Sequence, residues 1–476
     1  MRKTAVKTVG IIMILCLVLW YANHVLSIKD DDGVYSMKKF YELDKNTVDV
    51  LVVGSSHAYS SFNTGVLWRE QGISSYVLSG SAQPLWNSYY CLREALKTQT
   101  PKLIVLEGYR VVEEEEFVDI GYAIKNTYGM KWSRNRLDAV WAGVPQEERL
   151  GFLLGYTQYH DRYKELSEED FTFRKKAEKY RDWRGFEPGM ITESVEEPDI
   201  GASTECEELT EKSEKYYRAI LALAKERNIP IMVVVAPFAS MTEEDLMRFN
   251  TAQKIAQEYE TPFLNYNVMR EEMPINYATD MLDESHLNIR GSCKFTSGWG
   301  EYIAGRYHIP DHRGDLAYEG WERNAAYLDA LLKDMELRET EDTGLIQEAI
   351  LQNHYDVFVS VDGYCQTQEA AVSGILAALG ISDAQGGGLW HFAGGDGIVW
   401  SSGNGEDSRY FETDRHDFGL KRVQLPDGGY DNEIVIDNQR YQTVENGINV
   451  VVFDRITGIV ADSFGIDGDD GYQLCR

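Results

Sequence analysis

The sequence predicts an α/β protein, a parallel sheet flanked by helices, with a smaller α+β or mostly β module behind it. Three observations carry that expectation. Up to about residue 310, short apolar runs bounded by turn residues alternate with longer helix-patterned segments. That alternation marks strands buried on both faces and joined by helical crossovers. Past about residue 340 the helix-forming Glu/Lys/Leu texture of Trp321–Arg338 gives way to short β-rich pieces broken by glycine. And a chain of 476 residues exceeds what one hydrophobic core fills.

In chain order, Arg2, Lys3 and Lys7 precede an apolar run from Val9 to Trp20 that continues to Leu26, and Asp30, Asp31 and Asp32 follow. Bases before and acids after such a run predict a single span with the bulk of the chain outside the cytoplasm. No small-residue cleavage site follows it, so a retained anchor over residues 1–28 is expected rather than a removed signal peptide. Val48–Val53 is a buried-strand run ending in Gly54-Ser55-Ser56-His57. A helix is expected around Thr64–Gln71, a strand at Ser75–Leu78, a helix from Pro84 to Lys97 and a strand at Leu103–Glu107. Residues 112–210 are rich in aromatics and charges and read as an insertion, largely helical, able to cover a site. Helices at Glu214–Glu226, Thr242–Glu258 and Gly291–Arg306 then alternate with strands at Ile229–Ala236 and Pro262–Asn265. The α/β domain is thus placed at 45–310, a helical linker at 311–344 and the second module at 345–476. In that module strands are expected at Tyr355–Val361, Gly388–Phe392, Gly397–Trp400, Glu433–Ile436 and Gly447–Phe453, with one helix at Thr367–Leu379 closed by Gly380.

Charge sets limits on partners. The 77 Asp+Glu against 47 Lys+Arg leave a net charge of −30 with no basic tract, which argues against a nucleic-acid partner. From Glu341 onward there are 23 acids and 7 bases, so more than half of the excess lies beyond residue 340. The six cysteines form no C-x-x-C and no Cys/His cluster of zinc spacing. Cys365 and Cys475 are a candidate disulfide in an exported domain.

Two segments can carry chemistry. Gly54-Ser55-Ser56 stands at the end of a strand, where a sharp turn exposes a hydroxyl and backbone N–H groups can hold an oxyanion. The plainer reading is that the serines cap the next helix. Asp283-Glu284-Ser285-His286 precedes the last helix and supplies, three residues apart, an imidazole and a carboxylate to fix its tautomer. In a parallel sheet the chemistry sits at the carboxyl ends of the strands, and both segments fall there. His57 and His160 are further pocket candidates. For His160, within Tyr159-His160-Asp161-Arg162-Tyr163-Lys164, substrate contact and hydrogen-bonded packing stand equal. Metal chemistry through His57, His160 and His286 lacks a compact ligand spacing.

These motifs resemble the SGNH, or GDSL-type, hydrolase and acyltransferase superfamily. Gly54-Ser55-Ser56 stands where that family has Gly-Asp-Ser, and Asp283-x-x-His286 where it has its terminal Asp-x-x-His. Ser79-Gly80-Ser81-Ala82-Gln83-Pro84 with Tyr89-Tyr90 is similar to the second block of its membrane-anchored bacterial members. Those act in teichoic-acid D-alanylation and polysaccharide O-acetylation. The resemblance covers roughly residues 45–310 and implies a flavodoxin-like three-layer sandwich and no cofactor. It makes Ser56 the nucleophile, His286 the base, Asp283 its orienting partner, and the N–H groups of Ser56 and Gly80 the oxyanion donors. It further implies a cell-wall or exported polysaccharide as substrate and a membrane-bound O-acyltransferase as partner. One block departs: Gly108-Tyr109-Arg110 replaces Gly-x-Asn-Asp, leaving Gln83 as a candidate substitute donor. The alternative is a non-catalytic glycan-binding protein on a degenerate SGNH fold. Residues 345–470 resemble the interleukin-like EMT inducer (PANDER-like) module through Gly447–Asp454 and Gly458–Ser463. That likeness implies glycan binding, with Trp390, Trp400, Tyr410 and Tyr430 as rings able either to stack on sugars or to fill the core.

Overall fold

A computed structural model describes residues 2–26, 32–153, 160–164, 166, 168–171, 183–201, 203–361, 365–402, 405–413, 416–426, 428–469 and 471–476. They fall into two compact units, Met1–Ala325 and Ala326–Arg476. The division lies inside a continuous helix, Glu319–Glu339.

The first unit opens with helix α1, Arg2–Leu26. Its segment Lys7–Leu26 is long and apolar enough to cross a membrane or to serve as a signal sequence. Side chains such as Ile11, Ile14, Leu17 and Trp20 point outward from it and are exposed, as an apolar helix without a protein core to cover it must be. Helix α2, Asp32–Phe40, was not anticipated. It buries Val34, Met37 and Phe40 and is tied to the sheet by Ser36 Oγ donating to the Val77 carbonyl (3.2 Å) and Tyr76 Oη donating to the Ser36 carbonyl (2.8 Å).

The sheet consists of β1 (Val50–Gly54), β2 (Ser75–Ser79), β3 (Leu103–Glu107), β4 (Ile231–Val235) and β5 (Phe263–Asn265), in the order β2-β1-β3-β4-β5. Every pairing is parallel. Residues of β1 alternate between two cores, because successive side chains of a strand leave on opposite faces. Leu51 and Val53 join one core, with Met37 of α2, Trp86 and Leu92 of α5 (Leu85–Ala95) and Ile220 of a later helix, Glu211–Glu226. Val50 and Val52 join the other, with Phe62 and Leu67 beside α3 (Ser56–Ser61) and α4 (Thr64–Gln71), and with Phe295 and Trp299 of the helix Ile289–Ala304. Each such buried side chain contributes about 1.5–3 kcal/mol. From β1 the chain steps to β2 on one side and from there crosses to β3 on the other. The crevice between the carboxyl ends of β1 and β3 is therefore the switch point of the sheet, where α/β folds bind ligands.

Among its described residues the insertion is only partly helical. It holds α6 (Ile120–Lys125), α7 (Arg134–Gly143), α8 (Arg149–Leu153) and α9 (Glu168–Phe171). Residues 186–201 and 203–210 instead run as irregular chain, bonded along the loop before Ile289–Ala304 through Glu193 N to Met281 O (3.0 Å) and Ile289 N to Gly189 O (2.9 Å). Polar residues with no 3.6 periodicity, such as Thr192-Glu193-Ser194-Val195-Glu196-Glu197-Pro198, have no apolar stripe with which to dock a helix. After α10 (Glu211–Glu226) and β4, α11 (Glu243–Glu258) begins with a capping box between Thr242 and Asp245. Helix α12, Ile289–Ala304, starts on the Asn288 cap, and α13, Glu319–Glu339, follows.

The second unit holds α14 (Thr343–Ala349), α15 (Ala370–Ala378) and two antiparallel sheets. One has six strands: β6 (Tyr355–Val361), β7 (Gly388–Ala393), β8 (Gly397–Ser401), β13 (Gly447–Asp454), β14 (Ile459–Asp467) and β15 (Gln473–Cys475). The other has four: β9 (Asp407–Glu412), β10 (Asp417–Gln424), β11 (Tyr430–Ile436) and β12 (Gln439–Tyr441). The expected helix at Thr367–Leu379 is shorter, Ala370–Ala378. Strands β9, β10, β12, β14 and β15 were not anticipated. Cys365 and Cys475 are both free thiols, not a disulfide.

One contact joins the start of the first crossover to α12. The buried Thr296 hydroxyl accepts from Asn63 N (2.9 Å) and donates to the Ser61 carbonyl (2.8 Å). Thr296→Val keeps the shape and strands both backbone groups, so it costs about 1–3 kcal/mol. Urea unfolding of the detergent-solubilised chain checks this; an unchanged midpoint would show that the contact contributes nothing.

Candidate active site

Gly54 ends β1 where the chain must pass close to β3. A Cβ at this position would lie 2.6 Å from Glu107 Cβ and 3.0 Å from Ala58 Cβ, so only glycine fits. The chain turns at Ser55 and enters α3 at Ser56. The first N–H groups of a helix, here those at Ser56 and His57, have no acceptor within it. The capping alternative fails for Ser55, whose side chain makes no cap hydrogen bond. It donates instead to Glu107 Oε2 at 3.3 Å.

The second element is a braced loop. Met281 and Leu287 form an isolated antiparallel bridge. Asn288 caps α12 through Oδ1 and ties the loop back through Nδ2, which donates to the Thr279 (2.9 Å) and Met281 (3.2 Å) carbonyls. The Glu284 carbonyl accepts from Ala239 N (2.8 Å) and Ser240 N (3.1 Å), fastening the loop to the chain leaving β4. Within it Asp283 Oδ1 accepts from Ser285 N (2.7 Å) and His286 N (2.9 Å), a turn that places aspartate and imidazole side by side.

The outcome is a line of three side chains separated by up to 230 residues. Ser56 Oγ lies 2.8 Å from His286 Nε2, and His286 Nδ1 lies 2.9 Å from both Asp283 oxygens. A carboxylate accepts only, so the Nδ1 proton points at Asp283 and Nε2 is left to accept from the serine. Partial burial works to raise the Asp283 carboxyl. The bonds from His286 and Ser285 outweigh it and hold the group below its ordinary range, ionised. Ser56 is half-buried and His286 partly open, so solvent reaches both.

His57 is buried behind them. Its ring lies flat on Tyr109 with 3.6 Å between centroids and stands 5.0 Å from His286. Burial first, then the charges of His286 and Arg110, push it well below the usual imidazole value. It is a neutral wall rather than a second base. Tyr109 occupies the stretch where an asparagine donor was missing.

The Gly80–Gln83 loop is held to α3 by Tyr59 Oη and Ser81 Oγ at 3.2 Å. The structure engages Gln83 elsewhere: it is buried, with Nε2 donating to Ser88 Oγ (3.1 Å) and Oε1 accepting from the Cys91 thiol (3.7 Å). Against Gly80 sits Asn126 of the insertion, whose Oδ1 would be 2.3 Å from an added Cβ and whose Nδ2 donates to the Ser81 carbonyl at 3.0 Å. His160 begins a short 3₁₀ turn, His160–Lys164, in which Arg162 donates to the Leu26 carbonyl at 3.1 Å; the His160 side chain lies outside the described residues. Among the described residues no group of three His, Cys, Asp or Glu side chains could hold a metal ion. In the second unit Trp390 is buried in the core, Tyr430 lies under Arg422 at 4.2 Å, Trp400 is half-buried and Tyr410 is exposed.

Sequence reasoning missed Glu107. It ends β3, is 1% exposed, and its carboxyl accepts from Ser55 Oγ and Tyr109 N (2.8 Å), while the Ser55 amide also points to it. It thus joins the Ser55-Ser56 turn to the Tyr109 turn across the crevice. The only signal in the sequence was an acid ending an otherwise apolar strand. No protein-family model matches the chain, and no curated protein matches it.

Burial outweighs those bonds and pushes the Glu107 carboxyl up to about 7, from an ordinary 4.5. Above pH 4.5 the unfolded chain therefore releases a proton that the folded chain keeps until about pH 7. Across that window this group lowers stability by about 3 kcal/mol, with no further change above it. Glu107→Gln retains an acceptor and removes the titration. Urea unfolding at pH 4.5 and 7.5 should show the wild-type chain losing stability relative to Glu107→Gln; parallel pH profiles would contradict the assignment.

Proposed function

We propose that this chain is a membrane-anchored, extracytoplasmic serine esterase or O-acyltransferase acting on cell-wall or exported polysaccharide through an acyl-enzyme. The observation that carries the reading is the Ser56–His286–Asp283 line, with both hydrogen-bond separations at 2.8–2.9 Å. In this reading Ser56 Oγ attacks an acyl carbonyl while His286 Nε2 takes its proton. The imidazolium, steadied by ionised Asp283, then returns the proton to the leaving alkoxide. Water or a sugar hydroxyl resolves the ester, again with His286 as base. Backbone N–H groups of Ser56 and Gly80 are the proposed oxyanion donors.

The strand order β2-β1-β3-β4-β5 supports a flavodoxin-like frame, and with the motif positions it supports the SGNH assignment. Arg2, Lys3 and Lys7 before the apolar helix and Asp30–Asp32 after it support the outward orientation of the remaining chain. The antiparallel second unit is read as an interleukin-like EMT inducer-like, glycan-binding module.

The full chain in detergent is expected to hydrolyse a chromogenic acetyl ester and to be labelled at Ser56 by a fluorophosphonate. Ser56→Ala and His286→Ala should each lower kcat by about 10⁴-fold, with the fold intact by circular dichroism. A wild-type chain that neither turns over nor labels would remove the enzymatic reading. If it still binds glycan, the non-catalytic alternative takes its place.

A further inference from the structure

Beside the candidate site the first unit carries two clefts. One, of about 580 Å³, is walled by Ala82, Tyr109, Arg110, Tyr122 and Arg248. It adjoins the candidate site through Tyr109, which is stacked on His57, and through Ala82 of the Gly80–Gln83 loop. The other, of about 710 Å³, is walled by Tyr90, Phe117, Trp141, Lys212 and Tyr216. Glu114 lines both. Sharing Glu114, the two clefts adjoin along residues 113–116 as one track from Tyr109 to Trp141, and each half has the volume of a small-molecule site.

Aromatic faces and charge define what fits it. Trp141 and Tyr122 are 51% and 41% exposed, a cost in water unless an apolar surface covers the rings. The C–H face of a pyranose is such a surface, while its hydroxyls need polar partners at the rim. The walls supply nine carboxylates against five cations.

The cations are already engaged within the protein. Arg110 is paired with Glu113, and Arg248 with Glu114 and, at 2.5 Å, Glu244. Arg149 donates to the Trp141 and Val144 carbonyls, both at 3.0 Å. Lys212 donates to the Glu116 carbonyl and lies between the Trp86 and Phe117 rings, 3.7 and 4.1 Å from their centres. Lys215 lies by the Tyr216 ring at 5.4 Å. A polyanion would meet excess negative charge and cations bound elsewhere. Neutral or amino-bearing sugars would meet ring faces and carboxylate acceptors for O–H and N–H groups.

We propose that this track binds an oligosaccharide of neutral or amino sugars, seated on Trp141 and Tyr122 and leading to Ser56, and that it rejects polyuronate-type chains. The direction toward Ser56 rests on the esterase reading; occupancy of the track does not.

The test measures binding by the full chain in detergent, carrying Ser56→Ala, to three hexasaccharides: N-acetylglucosamine, glucosamine and galacturonate. The first two are expected to bind, and the galacturonate at least about 100-fold more weakly. Trp141→Ala is expected to weaken binding about tenfold, the loss of one stacked ring. Because Trp141 is exposed, the variant retains the fold, checked by circular dichroism. Glu115→Lys/Glu116→Lys should admit the galacturonate. Galacturonate binding as tight as the others, binding by none of the three, or binding indifferent to Trp141→Ala would each overturn the proposal. Fluorophosphonate labelling of the wild-type chain separates the two ideas. Labelling without saccharide binding sinks the track alone, and binding without labelling sinks the esterase alone.

Discussion

Glu107 ends a strand with its carboxyl out of water and three donors converging on it, two from Ser55 and one from Tyr109. Those donors belong to two different turns, one leaving β1 and one leaving β3. The turns lie on either side of the point where the chain reverses its direction of travel across the sheet. A serine at a strand end is only as well placed as the turn that carries it. Here the turn is held from below by a buried acceptor, and glycine at 54 lets the acceptor come close. A buried carboxyl is costly to ionise, so the clamp is obtained at the expense of stability near neutral pH.

The rest of the site is arranged around that clamp. The Asp283–His286 loop is braced separately, by Asn288 below and by the chain leaving β4 beside it. Ser56 and His286 therefore ride on independent supports, and their 2.8 Å separation follows from packing α3 against α12. His57, kept neutral by burial, fills the space behind them with Tyr109. Only one imidazole in this neighbourhood is positioned to exchange a proton with Ser56.

The five sheet strands were legible because each is a short apolar run, and burial on both faces demands such runs. Gly54-Ser55-Ser56 and Asp283…His286 were legible for a related reason: small residues after a strand and an Asp/His pair before a helix are unusual enough in type and spacing to notice. Strand β9, Asp407–Glu412, was not, because its exposed and half-buried positions alternate and no run of apolar residues marks it. The stretch 186–201 is not helical, since its structure comes from backbone bonds to a distant loop rather than from its own pattern. Gln83 looked available as a donor, but it is consumed by Ser88 and Cys91 one turn along. Cys365 and Cys475 invited pairing that the fold does not make.

By itself the sequence determined the alternation of elements, the apolar N-terminal helix, the change of character near residue 340 and the residue types offered for chemistry. These depend on local periodicity and composition, which every stretch of chain carries within itself. Tertiary structure alone decided which of those residues meet. It set Ser56 against His286 across 230 positions, buried Glu107 between two turns and laid Tyr109 on His57. The physical reason is that hydrogen-bond distance, burial and the pKa values that follow from it belong to a place in space. No single segment encodes that place; strand order and helix packing create it.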